Sequence, residues 1–189
     1  MSASLVTRLK FVLSSRKQTS WSKILGISGN SFPSMHSEGI PDAEILRLVQ
    51  KSELVDLNWL ITGEGNPFTI THFSTSECLV ESLNSHISDE KWNVYLCSQA
   101  DPLVIVITIP CQIEFKGSWI DYTDAQIMVG MRCELLKDCN LSHVNLGEFF
   151  ISNELDIYDI DCIANGMVGT HLFLSEFVHR FRAVERFPY

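Results

Sequence analysis

The sequence predicts two domains: an all-α domain of five short helices over residues 1–66 and, past a linker at 67–75, an α+β domain with a mainly antiparallel sheet over 76–189. Three observations lead there. Apolar residues before residue 63 recur at helical spacing, punctuated by Gly, Pro and capping residues. From Trp92 onward the texture shifts to alternation and β-branched runs, which suit strands. Charge divides as well: residues 1–70 hold seven Lys/Arg against six Asp/Glu, and residues 71–189 hold seven against seventeen. A chain of net charge −9 therefore carries a weakly cationic end on an acidic body.

Leu5, Val6, Leu9, Val12 and Leu13 form the stripe of a first amphipathic helix. Residues 14–19 break it and place Arg16 and Lys17 in the connection, where Thr19 or Ser20 can cap a second helix over 21–25. Ser22 stands three residues before Leu25, where a small side chain lets two helices approach closely. Gly26 ends the helix in a left-handed conformation, Ile27 is the buried turn residue, and Ser28 can cap the next helix. That is a helix-turn-helix signature. Pro41 suits the first turn of a further helix in which Ile45, Leu46, Leu48 and Val49 turn inward. Asp56 caps a last helix over 57–62, Gly63 ends it, and Trp59 and Leu60 bury against the first helix.

The run Val55-Asp56-Leu57-Asn58-Trp59-Leu60-Ile61-Thr62-Gly63-Glu64-Gly65, downstream of Leu25-Gly26-Ile27-Ser28 and Ile40-Pro41, resembles the last helix and exit of the N-terminal helix-turn-helix domain of bacteriophage CI-type repressors. The resemblance covers about the first third of the chain. It implies a five-helix helix-turn-helix domain whose recognition helix lies in residues 29–39. Two departures stand there. Pro33 fits only the first turn of a helix, which puts the start near Ser31, and the segment has no Arg or Lys. Base readout then falls to Asn30, Ser31, Ser34 and His36, with Asn30 the natural adenine reader; alternatively Asn30 and Ser31 cap the helix or hold phosphate. Arg16, Lys17, Gln18 and Lys23 are the candidate phosphate contacts around the second helix, or else solvated surface residues, and Ser28 is a further candidate DNA-binding residue.

In the second domain, residues 76–87 suit a helix with Cys78, Leu79, Leu83 and Ile87 on one side. Trp92, Val94 and Leu96 alternate as in a strand. The run 103–109 fits a strand buried on both faces, ended by Pro110. Residues 112–115 and 119–122 read as a hairpin through Lys116-Gly117-Ser118, and 126–129 and 149–151 add strands. Arg180, Arg182 and Arg186 alternating with Phe181, Ala183 and Phe187 give a last strand with one basic face, which either is solvated or meets an acidic patch of a partner. The cluster Glu154, Asp156, Asp159, Asp161 lacks the glycine and final glutamate of a calcium loop and reads as a solvated face.

Several classes are set aside. No serine–lysine self-cleavage pair, phosphate loop or nucleotide fingerprint is present, so neither an enzyme nor a cofactor is expected. Cys78, Cys97, Cys111, Cys133, Cys139 and Cys162 include no C-x-x-C pair and read as buried small hydrophobes. With His72, His86, His143, His171 and His179 they make no metal set. The longest apolar run is too short for a membrane span, and no signal segment is evident, so the cytoplasm of a bacterial host is the expected location. The expectation is a temperate-phage or prophage repressor that binds double-stranded operator DNA as a homodimer or higher homo-oligomer through its C-terminal domain. Induction proceeds without self-cleavage, with an antirepressor protein as a candidate partner. The alternatives are a ligand-sensing regulator, or an antitoxin or antirepressor using a helix-turn-helix scaffold for protein contacts.

Overall fold

The computed structural model describes residues 4–27, 41–87, 91–98, 101–131, 148–152 and 154–184. They fall into two compact units, neither continuous in sequence. The first is Met1–Thr69, Pro110–Asp124 and Val168–Leu172; the second is Ile70–Ile109, Ala125–Met167 and Phe173–Tyr189.

In the first unit α1 (Leu5–Leu13) is capped by Ser4, whose hydroxyl accepts from the Thr7 amide. Then come α2 (Gln18–Ile24), α3 (Ala43–Glu53) and α4 (Leu57–Thr62). Asp42 caps α3 by accepting from the Glu44 amide, and Asp56 caps α4 by accepting from the Trp59 amide. Gly63 closes α4 at φ 84°, where glycine carries no steric cost. Leu9, Val12, Trp21, Leu25, Ile45, Leu48 and Leu60 fill the core. Arg8 crosses it as a strut: Nε donates to the Leu60 carbonyl at 2.7 Å and an Nη to the Ile61 carbonyl at 2.8 Å, serving two orphan carbonyls at the end of α4.

The second unit is built on strands β1 (Thr71–Phe73), β2 (Asn93–Ser98), β5 (Phe149–Ser152) and β6 (Phe181–Val184), with the inner halves of β3 (Leu103–Phe115) and β4 (Ser118–Gly130). The strand order is β1-β4-β3-β2-β5-β6. Val104, Ile105, Val106 and Ile107 are all buried, so the centre of β3 is covered on both faces. On one face Leu79 and Leu83 of α5 (Ser76–Ile87) meet Val94, Leu96, Leu103, Ile105 and Ile107. On the other, Tyr95 stacks on Phe150 with ring centroids 4.7 Å apart and meets Phe173 and Phe181 edge-on, each at 5.3 Å. Helix α6 (Ile157–Ala164) begins with a reciprocal capping box between Asp156 and Asp159. A single α-turn, α7 (Thr170–Leu172), runs into a π turn (Phe173–Phe177) and a 3-10 turn (Val178–Arg180) ahead of β6.

This overturns the predicted fold class, an all-α five-helix helix-turn-helix domain followed by an α+β domain with a mainly antiparallel sheet. The described residues form seven α-helices and one six-stranded mixed sheet, with β1 parallel to β4 and β2 parallel to β5. Nor is the first unit all-α. The outer hairpin of β3 and β4 enters it, and Ile113, Phe115 and Ile120 join the core that holds Leu9 and Trp21. Helix α5 carries the chain from β1 to β2, two strands that are not neighbours in the sheet; a crossover of this kind lets strands run in parallel where a tight turn would reverse them.

Smaller expectations also change. Pro110 does not end β3: the last β2–β3 pair is Asn93↔Thr108, so Pro110 lies where the strand has an open edge and a missing N–H is tolerated. The hairpin turn is the two residues Lys116 and Gly117, at φ 48° and 78°. Helix α2 starts at Gln18, with Lys17 rather than Thr19 or Ser20 at its N-cap and no side-chain cap bond. Of the acidic cluster, Glu154, Asp156 and Asp161 are exposed, as expected of a solvated face, but two of its members also have structural partners. Asp156 and Asp159 cap α6, and Asp159 takes a 2.5 Å salt bridge from Arg180, whose guanidinium holds its carboxyl below the ordinary 3.8. Among the described cysteines Cys97 is buried, and burial pushes its thiol up; Cys78 is exposed.

Candidate nucleic-acid interface

The residues between α1 and α2 are held from inside. Arg16 donates through Nε to the Leu13 carbonyl at 3.0 Å and through one Nη to the Val12 carbonyl at 2.8 Å. The same guanidinium grips Glu53 bidentately at 2.6 and 3.0 Å. Glu53 Oε1 also accepts from the buried Trp21 indole at 2.7 Å, and the Arg16 guanidinium lies 5.3 Å from the Trp21 ring centre. This knot fixes the start of α2 against the end of α3. It is charge-assisted and nearly dry, the setting in which a bidentate arginine outperforms a lysine.

Helix α2 runs from that knot to Gly26. Ser22 is buried and donates to the Gln18 carbonyl at 2.8 Å, Gly26 sits at φ 61°, and Ile27 is buried. Lys17 and Lys23 are exposed at the two ends of the helix, and Gln18 is half-buried in its first turn. Of the predicted contact residues, Arg16 lies before α2 and is turned inward, Lys17 is at its N-cap, and Gln18 and Lys23 lie in its first and last turns. Ser28, Asn30, Ser31, Ser34 and His36 lie outside the described residues.

Three features escape pattern reasoning. Arg8 and Glu53 carry no local signature, because their partners sit 52 and 37 residues away. The hairpin itself is legible, but nothing in its alternation says which core it fills. Its tip lies beside the turn: a Cβ placed on Gly26 would come within 2.8 Å of Ile120 Cδ1. Arg47 of α3 reaches the Glu114 carbonyl at 3.3 Å.

The second unit contains a separate cleft of ≈ 340 Å³ at the ends of β1 and β4, lined among others by His72, Phe73, Asp101, Gly130, Asp161 and Asn165. Its size and its mix of aromatic and polar groups suit a small polar ligand. Among the described residues no group of three His, Cys, Asp or Glu could hold a metal ion, and no helix is long and apolar enough to cross a membrane. No family model, curated protein or solved structure matches this chain.

Proposed function

We propose that the chain is a sequence-specific DNA-binding repressor of the temperate-phage type, acting on operator DNA as a homodimer or higher homo-oligomer. The observation that carries the reading is α2 with the turn after it. The helix is anchored by the Arg16–Glu53–Trp21 knot, closed by a left-handed Gly26 over buried Ile27, and flanked by exposed Lys17 and Lys23. An anchored helix start with cations at both ends can fix register on a phosphate backbone, while base reading falls to the adjoining Asn30, Ser31, Ser34 and His36. Arg16 has its guanidinium committed inside the unit, so the phosphate role rests on Lys17 and Lys23. Relief of repression without self-cleavage, through an antirepressor protein, belongs to the same proposal.

An electrophoretic shift across the DNA upstream of the chain's own reading frame tests this. A discrete footprint with two-fold symmetry is expected, and equal retardation of every fragment would refute sequence specificity. Lys23→Gln should weaken binding on all sequences and reduce the salt slope by about one. The cleft of the second unit favours a second reading, a ligand-sensing regulator. Under that reading a small polar metabolite raises the melting temperature with occupancy, and Asp161→Ala abolishes the rise.

A further inference from the structure

We propose that the cleft of the second unit binds a small organic cation, an alkyl ammonium or guanidinium whose donors are taken by Asp101 and Asp161 and whose stem lies on the apolar wall. The proposal rests on the reading of this cleft as a ligand site and names the class of ligand; it does not depend on the DNA contacts of α2.

Separate segments bring the polar groups together. Strand β1 supplies His72 and Phe73, paired in parallel with the end of β4, and Met131 follows directly after that end. The connection from β2 to β3 supplies Asp101. Helix α6 and its C-cap supply Asp161 and Asn165, which share a face because they stand four residues apart.

Charge selects the occupant. Among the described residues that line the cleft there is no Lys or Arg, and neither carboxylate has a hydrogen bond or an ion pair. Asn165 turns its Nδ2 to the Asp161 carbonyl at 2.8 Å, which leaves its Oδ1 as an acceptor. The cleft therefore offers two carboxylates and an amide oxygen, with the His72 imidazole able to accept as well. An anion would meet repulsion there and a neutral acceptor would find few donors. An ammonium or guanidinium carries several donors and no acceptor, the complement of this lining.

A metal ion is the rival cation, and geometry disfavours it. Among the described residues no three His, Cys, Asp or Glu converge closely enough to hold one, so His72, Asp101 and Asp161 are too spread for a single ion. Spread acceptors suit a cation whose donors are themselves spread. The apolar side of the lining, with half-buried Phe73 and a Met131 that is 62% exposed, suits an alkyl stem. A volume of ≈ 340 Å³ lies at the lower end for small-molecule sites, which fits a short-chain amine.

The test uses the full chain at constant ionic strength, with thermal melting and calorimetry against n-butylguanidinium, 1,4-diaminobutane, 1,4-butanediol, succinate and magnesium chloride. The variants are Asp101→Asn, Asp161→Asn and, as control, Asp121→Asn of the first unit, which removes the same charge elsewhere. Both organic cations should raise the melting temperature with occupancy, and the diol, succinate and magnesium should not. Asp101→Asn and Asp161→Asn should each weaken cation binding about five- to tenfold, while Asp121→Asn keeps the parent affinity. Without a probe all three should melt with the parent, because these side chains are exposed. Equal weakening in all three variants, or in none, would mean that the acidic body attracts cations without a site, and the proposal would be wrong. Binding of the diol or of succinate that Asp161→Ala removes would keep the cleft as a ligand site and overturn the cationic class. Magnesium binding in place of the organic cations would overturn it too. If no probe binds the parent, the proposal falls, and the ligand-sensing reading falls with it only when a broad metabolite panel also leaves the melting temperature unchanged.

Discussion

Replacing Glu53 with alanine removes the acceptor of three donors at once: two guanidinium nitrogens of Arg16 at 2.6 and 3.0 Å and the Trp21 indole at 2.7 Å. The side chains of Arg16 and Glu53 are only 10% and 5% exposed, so water cannot take over cheaply. Breaking a buried pair from one side costs about 3–5 kcal/mol. Arg16 keeps its bonds to the Val12 and Leu13 carbonyls, which places its share near the lower end, about 3 kcal/mol. The stranded indole N–H adds about 1 kcal/mol. The sum, about 4 kcal/mol, is a large fraction of the roughly 5–15 kcal/mol that holds a domain folded. With a urea slope of about 2 kcal/mol per molar, the midpoint of Glu53→Ala should fall by about 2 M.

Glu53→Gln keeps an acceptor and should lose about half as much. The double variant Arg16→Met/Glu53→Leu replaces the pair by apolar groups and should recover much of the loss, because no charge is then left without a partner. Circular dichroism over a urea series reads all three. A Glu53→Ala loss below about 1 kcal/mol, or strict additivity in the double variant, would refute the reasoning. Such a result would also free Arg16 for phosphate, so its effect on the salt slope of DNA binding should be measured beside it.

Gly169→Ala would put a Cβ 2.3 Å from the Phe68 ring, a clash with a core side chain; about 1–3 kcal/mol of destabilisation is expected in the same urea assay, and an unchanged midpoint would count against the packing described. A fragment ending at Thr69 lacks Ile113, Phe115 and Ile120, three buried side chains each contributing about 1.5–3 kcal/mol, so it should lose the cooperative melt of the full chain; a sharp melt would show that its helices suffice. Burial, with the Asp124 charge second, pushes the Tyr122 hydroxyl up from 10.0 to about 12. Its contribution to stability is complete below the unfolded value and is lost as pH rises through the folded one, so Tyr122→Phe should remove a late-ionising tyrosine from an ultraviolet titration and flatten the alkaline loss.

Local signals made α1, α3 and α4 legible, because each carries a helical stripe with a Ser or Asp cap. The start of α2 was not: Thr19 and Ser20 are better local caps than Lys17, but the contact of Trp21 with Glu53, 32 residues away, fixes the helix earlier. The continuous apolar run of β3 announced a strand covered on both faces, and it is so covered although its pairing with β2 is antiparallel. What hid the parallel pairs was the brevity of β1 and β5, three and four residues with no pattern of their own. Asp156 and Asp159 stand at capping-box spacing, and reading them only as charge conceals α6. Of the candidate site, the sequence shows which residues are cationic but not which of them are committed elsewhere.

That commitment follows residue type within the first unit. Arg8 serves the carbonyls of Leu60 and Ile61 and Arg16 serves Glu53, both turned inward; Arg47 is exposed and reaches the Glu114 carbonyl, and Lys10, Lys17, Lys23 and Lys51 are all exposed. The two inward guanidiniums use their forked donors to brace the interior. Under the proposed repressor function, with Lys17 and Lys23 as phosphate contacts, one head neutralises about two charges and a dimer about four. Between 50 and 200 mM salt a dimer should then lose about 150-fold in affinity, and a single head only about twelvefold. A twelvefold loss, with binding independent of protein assembly, would mean that one head acts alone and that base contacts carry most of the affinity.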